Sequence, residues 1–146
     1  MRNWNCLSAL LGLAVAAAVV GCGPSRPAVV PVSGQVLIDG EPLKNASIMV
    51  APSAGKAAFG RSDDEGRFTL TTYEPDDGCM TGTHPVEVSA TEPESASVML
   101  VHTPLKYMDV DTSDLSVTIE EATDDLRIEL SWDGQKGPIR QQVAGE

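Results

Sequence analysis

Short stretches with the pattern of β-strands recur along the chain after residue 31. They cover residues 32–38, 46–50, 59–62, 67–73, 86–90, 115–119 and 126–132. In most of them apolar and polar residues alternate, which places successive side chains on opposite faces of a strand. No window after residue 21 repeats apolar residues with the roughly 3.6-residue period of an amphipathic helix. The pattern predicts an all-β domain, an antiparallel β-sandwich of about seven short strands.

Turn residues separate these stretches. Asp39-Gly40 follows the first strand and predicts a hairpin, because this pair suits the positive φ angles of a two-residue turn. The return strand is expected to include Leu43 and to continue to Val50. Further turns are expected at residues 63–66 and 121–125.

The alternation also predicts which side chains face the core. Phe68 and Leu70 are expected to point inward, and so are the apolar residues of 126–130. Trp132 continues this second set and is expected to cap the core. The alternative is that Trp132 and Tyr73 form an aromatic platform for a glycan or a partner protein.

Two segments have a weaker pattern. Within residues 91–114, Val98–Val101 is expected to be one more buried strand, bounded by Pro93 and Pro104, and Asp109–Asp114 is expected to be a loop. Residues 133–146 show no period and are predicted to be a flexible tail.

The chain begins with an apolar run of the kind that directs export. Arg2 precedes residues 7–20, and small residues then lead to Gly21 and Cys22. At about 14 residues the run is shorter than the roughly 20 that a membrane-spanning helix needs. Residues 1–21 are therefore predicted to be a signal peptide that is removed. Cys22 and a proline-rich tether follow over residues 22–31, and the domain occupies residues 32–132.

The residues Val19-Val20-Gly21-Cys22 resemble the lipobox of bacterial lipoproteins. The resemblance implies cleavage between Gly21 and Cys22 and attachment of lipid, palmitate included, at Cys22. Gly23 stands where an aspartate is associated with retention in the inner membrane of some bacteria. The implied location is therefore the cell envelope, with the outer membrane favoured and the protein facing the periplasm or the cell surface. The alternative is a secreted soluble protein in which Cys22 is incidental.

The charge of the chain limits the partners it can have. The formal net charge is −11, and removing residues 1–21 takes away Arg2 and no acidic residue, so the remaining 125 residues carry −12. Binding to nucleic acid or docking onto anionic lipid by charge needs clustered Lys and Arg, so both are excluded. Membrane attachment would come from acyl chains, and a chain of this length suits one domain.

Three motifs, in order, are similar to those that open the carboxypeptidase regulatory-like domain: Val32–Val36, Asp39–Ala46 and Ser62–Phe68. Similarity to bacterial lipoproteins that carry this domain extends the resemblance to residues 71–78, 82–88, 104–107 and 112–115, so that it covers about residues 32–131. It implies a transthyretin-like or immunoglobulin-like sandwich with a structural or binding role and no catalytic residues. Pro85 departs from the family pattern, so the start of its strand is expected to be unpaired.

Carboxylates in loops are the candidates for a cation site. Asp109, Asp111 and Ser113 occupy positions 1, 3 and 5 of an EF-hand-like loop with Glu120 at position 12, but Asp114 stands where the sharp turn requires glycine. Shorter clusters are formed by Asp63, Asp64 and Glu65 and by Asp76 and Asp77. In an acidic protein such clusters are usually solvated surface, so we expect no metal and keep calcium binding as an alternative.

Catalytic chemistry finds little support in the sequence. With Cys6 in the signal peptide and Cys22 lipidated, Cys79 stands alone, so no internal disulfide is expected and a packed loop thiol is favoured over a nucleophile. His84 and His102 lack zinc-ligand spacing and are expected at the surface. No G-x-S-x-G elbow is present.

The sequence therefore predicts a lipid-anchored envelope module with no enzymatic activity and no cofactor. Its role would be structural or the binding of another envelope protein through loops and sheet edges. The alternative is an envelope module that binds a cation or a glycan, and a hydrolase is a more remote third.

Overall fold

The computed structural model describes residues 26–143, so the predicted signal peptide and Cys22 lie outside the described residues. The strands are β1 (Val32–Ile38), β2 (Glu41–Pro42), β3 (Ser47–Val50), β4 (Ala58–Arg61), β5 (Arg67–Thr69), β6 (Gly82–Ser89), β7 (Thr91–Ser95), β8 (Val98–Val101), β9 (Ser116–Ile119), β10 (Thr123–Leu130) and β11 (Ile139–Gln142). A 3₁₀ helix covers Leu105–Met108, and residues 26–143 contain no α-helix. No helix in this range has the length and apolarity that crossing a membrane requires.

Two sheets enclose the main core. In the first sheet β1 pairs with β10 on one side and with β2 and β5 on the other, and the second sheet has the order β4-β3-β6-β9. Both sheets contribute apolar side chains to one buried cluster, including Val36 and Ile128 from the first sheet and Ile48, Val86 and Ile119 from the second. The all-β sandwich predicted from the alternation is confirmed.

The inward and outward positions of the fifth strand also match the alternation. Phe68 and Leu70 are buried and Thr69 is exposed. The strand itself is shorter than expected and ends at Thr69, but backbone hydrogen bonds between Phe59 and Thr71 continue towards the second sheet (2.9 and 2.8 Å). One edge of the sandwich is therefore partly closed.

The pairing of β1 with β10 is parallel, whereas the sequence analysis assumed antiparallel strands throughout. The register shifts between Val32 and Gly34, so that β10 has an extra residue opposite β1, as in a β-bulge. A Cβ at Gly34 would lie 1.9 Å from the Leu126 carbonyl oxygen. Glycine is needed here because of close backbone contact and not because of a turn.

The predicted first hairpin is confirmed at its turn and corrected in its return strand. Asp39 and Gly40 have the expected positive φ angles of 49° and 84°. However, β2 ends at Pro42, and the chain then crosses to the second sheet. The buried Ser62 hydroxyl supports the crossing: it donates to the Leu43 carbonyl (2.6 Å) and accepts from the Ala46 N–H (2.8 Å).

The expectation that Pro85 leaves the start of its strand unpaired is wrong. β6 begins at Gly82, and residues 82–85 pair with β9. The Pro85 carbonyl accepts from the Ala51 N–H (3.0 Å), so its missing N–H faces the point where β3 ends. A proline is tolerated there because the ladder needs no further donor on that side.

A third sheet corrects two expectations. Its order is β11-β8-β7; we call it the satellite sheet. Pro93 lies inside β7 instead of bounding β8, and residues 139–142 of the predicted flexible tail form β11. The Arg140 guanidinium donates to the Glu94 carboxylate across the sheet (2.5 Å). β7 and β11 are mostly exposed and polar, so their sequences lack the alternation by which strands were predicted.

The predicted tether also ends earlier than expected. Val30 exchanges two backbone hydrogen bonds with Cys79 (2.9 and 3.0 Å) and packs against the core, and the Pro31 carbonyl accepts from the Thr123 N–H (3.0 Å). The domain therefore begins at Val30.

The sandwich has two ends, which we name by one residue each. At the Cys79 end, β1 starts beside Cys79 and β10 starts at Thr123. At the Trp132 end, β1 stops at Ile38 and β10 stops at Leu130, shortly before Trp132. A strand rises about 3.3 Å per residue, so β1 separates the two ends by about 20 Å.

Replacing Gly34 with alanine is expected to lower the free energy of unfolding by about 3 kcal/mol, because the added methyl would force β1 and β10 apart. Ser33→Ala is the matched control, since Ser33 directly precedes Gly34 in the same strand and faces outward. Urea unfolding followed by circular dichroism measures both. Equal stability of the two variants would contradict the close contact.

Candidate functional site

The predicted cation ligands lie in turns. The carboxylates of Asp63, Asp77 and Asp109 accept hydrogen bonds from backbone N–H groups of their own turns. The Asp63 carboxylate accepts from the N–H groups of Glu65 (3.0 Å) and Arg67 (2.8 Å) and so closes the turn between β4 and β5. Asp64 is exposed in the same turn.

Asp77 makes the strongest of these turn contacts. Its carboxylate accepts from the N–H groups of Thr72 (2.7 Å), Tyr73 (2.9 Å) and Glu74 (2.9 Å). Partial desolvation raises the pKa of the Asp77 carboxyl, but these donors more than offset it, and the pKa lies below the ordinary 3.8. The neighbouring Asp76 has a positive φ of 60°. The carboxylate of Asp77 thus holds the loop that carries Cys79.

The EF-hand-like spacing does not produce an EF-hand-like loop. Asp109 accepts from the Asp111 N–H (2.8 Å), and the hydroxyl of the buried Ser113 donates to the Val86 carbonyl (2.6 Å). Ser113 therefore fastens the loop to β6. Within residues 26–143, no three or more His, Cys, Asp or Glu side chains lie close enough together to hold a metal ion.

Cys79 and His84 are packed groups. The Cys79 side chain is buried, and burial raises the pKa of its thiol, which disfavours the thiolate that a nucleophile requires. His84 is also buried, with Nε2 lying 2.9 Å from the Met80 carbonyl oxygen, so the expectation that it lies at the surface is wrong. The reason is that residue 84 already belongs to β6 and faces inward.

The two aromatic residues of the predicted platform are separated by the length of the sandwich. Tyr73 lies at the Cys79 end, where Arg26 and Lys56 approach its ring (5.4 and 5.9 Å to the centroid). Trp132 lies beyond the end of β10, is half-buried, and is not part of the core cluster that it was expected to cap. Neither the platform nor the capped core is formed as predicted.

Trp132 instead forms part of the wall of a pocket of about 530 Å³ at its end of the sandwich. Ile38 and Pro138 contribute further apolar surface, and Lys44 and Arg61 bring positive charge. The pocket lies where the first sheet, the second sheet and the satellite sheet meet. Its volume is within the range of about 300–1,000 Å³ that is typical of small-molecule sites.

His102 is the titratable residue of this pocket that the sequence analysis assigned to the surface. It is half-buried, and its Nε2 atom is buried 3.1 Å from Glu92 Oε1, outside the direction that a hydrogen bond needs. No spacing motif connects Lys44, Arg61 and His102 in the sequence, because they lie on three segments that are distant in the chain.

A second concavity lies on the outer face of the first sheet and has a volume of about 850 Å³. Arg61, Arg67 and Arg127 line it together with Asp63, Asp76, Asp124 and Asp125. Its lining therefore carries charges of both signs.

No protein-family model, curated protein or solved structure matches the chain.

Asp77→Asn is expected to lower the free energy of unfolding at pH 7 by about 1–2 kcal/mol, because a neutral amide binds the three N–H groups more weakly. Since the folded pKa of Asp77 is depressed, the carboxylate contributes fully above 3.8 and the contribution is lost as the pH falls through the folded pKa. Urea titrations at several pH values should show the gap from the parent protein closing below 3.8.

Asp76→Asn is the control for this measurement. Asn accepts the positive φ of that position, and the Asp76 carboxylate makes no hydrogen bond within residues 26–143. An equal loss in both variants would assign the effect to general loop charge.

The native Cys79 thiol is expected to react with iodoacetamide at least about a hundredfold more slowly than free glutathione, because it is both buried and protonated. Peptide mapping after labelling in buffer and in urea isolates Cys79 from the other cysteines. Fast labelling in buffer would show that the Val30–Cys79 contact opens readily.

Proposed function

We propose that this protein is a lipid-anchored, non-catalytic binding module of the bacterial cell envelope. The observation that carries the proposal is the order of segments. An apolar run ends in Gly21-Cys22, a short proline-rich stretch follows, and the chain then enters a β-sandwich at Val30. A lipidated cysteine at this position would hold the domain at a membrane surface.

The path of the chain gives the domain an orientation with respect to the anchor. Residues 22–30 reach at most about 25 Å if they are extended like polyproline. They join the sandwich at the Cys79 end, and β1 and β10 both run from there to the Trp132 end. The pocket beside Trp132 therefore lies at the end of the sandwich opposite the point where the tether joins.

The packing of the reactive side chains supports a binding role over catalysis. The Cys79 thiol is buried, and the His84 ring contacts the Met80 carbonyl. The carboxylates of Asp63 and Asp77 are engaged by backbone donors. The pocket beside Trp132 has an aromatic wall and two cations, which suits recognition of a ligand.

Mass spectrometry of the protein purified from a bacterial host tests the anchor. The wild-type chain is expected to begin at Cys22 with attached acyl groups and to sediment with membranes, and with the outer membrane on a density gradient. Cys22→Ser is expected to carry no acyl mass.

Cys79→Ser is the matched control, because it removes the other cysteine that remains after the predicted cleavage. It should keep both the lipid and the membrane location. An unmodified wild-type N-terminus, or acyl mass on Cys22→Ser, would contradict the proposed anchor.

A further inference from the structure

We propose that the pocket at the Trp132 end binds a small organic acid in which a carboxylate is carried on a six-membered ring. The inference rests on the proposed binding function and specifies the ligand class. Three features of the pocket carry it: an apolar wall, positive charge from Lys44 and Arg61, and hydrogen bonds that hold the backbone around Trp132.

The wall suits a flat or ring-shaped body. The backbone at Gly137 lies against the indole of Trp132, since a Cβ there would lie 1.8 Å from ring atom Cζ2. Pro138 and Ile38 extend the apolar surface. Rigid aromatic and proline rings bury ring-shaped ligands at little cost in side-chain entropy.

The pocket carries positive side chains, although the chain as a whole is strongly negative. Lys44 and Arg61 line the pocket, and none of the ion pairs within residues 26–143 involves either residue. The acidic side chain of the pocket, Glu92, lies 3.1 Å from His102. In a chain with a net charge of −11, two free cations beside an apolar wall favour one small anion, and arginine matches a carboxylate in geometry.

Hydrogen bonds hold the backbone around Trp132 without a ligand. The Asp39 carboxylate accepts from the Ser131 hydroxyl (2.9 Å) and from the Trp132 N–H (3.3 Å). On the other side, the Lys106 ammonium pairs with Asp133 (2.5 Å). Contacts on both flanking residues reduce the ordering cost of binding.

Two sources could supply this chemistry, a uronic-acid sugar or an aromatic acid, and the probes distinguish them. Full-length processed protein in non-ionic detergent is titrated with D-glucuronate and with benzoate, and with their neutral counterparts D-glucose and benzyl alcohol. The NMR signal of the Trp132 indole N–H reports binding, and Trp132→Phe assigns that signal.

At least one acid is expected to shift the signal with a Kd of about 1–10 mM, as is usual for ligands of roughly ten heavy atoms. Its neutral counterpart should bind at least about tenfold more weakly. The acid that binds identifies the source. Absence of a saturable shift with both acids at about 50 mM, or equal binding of a neutral counterpart, would overturn the proposal.

Substitutions locate the site of binding. Arg61→Gln and Lys44→Gln should each raise the Kd for the acid by about three- to tenfold. Arg67→Gln is the matched control for Arg61→Gln, because Arg67 lines only the outer groove whereas Arg61 lines both concavities. Lys56→Gln is the control for Lys44→Gln, since Lys56 lies at the Cys79 end.

Equal weakening by Arg67→Gln and Arg61→Gln would move the site to the outer groove and overturn the assignment. The result is separable from the test of the anchor, because Cys22→Ser should bind the acid as the wild type does. A wild-type protein that carries no lipid but binds the acid would overturn the anchor alone, and a lipidated wild-type protein that does not bind the acid would overturn the pocket alone.

Discussion

The contact between Gly34 and the Leu126 carbonyl is the constraint on which the arrangement of this sandwich depends. β1 has partners on both edges, and its parallel pairing with β10 brings the two backbones closer than any side chain at residue 34 would allow. That pairing carries β10 from the Cys79 end to the Trp132 end. The pairing therefore places Trp132 next to the turn that follows β1, where the pocket forms.

The acidic residues show how an abundance of carboxylates can serve structure. Asp39, Asp63, Asp77 and Asp109 each accept hydrogen bonds from main-chain N–H groups in or beside a turn. An exposed turn exchanges such bonds with water at little net gain, but a charged acceptor makes them stronger. The spacing that resembles a cation loop therefore arises from a series of separate turns.

The candidate pocket depends on long-range neighbours. Lys44 follows the first hairpin, Arg61 ends β4, His102 follows β8, and Trp132 follows β10. None of the four belongs to a local spacing motif, so the sequence does not predict the site. The satellite sheet completes the pocket. Two of its strands, β7 and β11, consist mostly of exposed polar residues and lack the alternation that predicts a strand.

The sequence by itself determined the fold class, the turn at Asp39-Gly40 and the inward positions of Phe68 and Leu70, because period-two burial and positive-φ turns are local properties. Only the tertiary structure decided that β1 and β10 run parallel, that the return strand crosses to the other sheet, that His84 is buried, and that residues 139–142 form a strand. These features depend on which distant segments pair. Pairing is decided by the packing of the whole core, which no single window of residues contains.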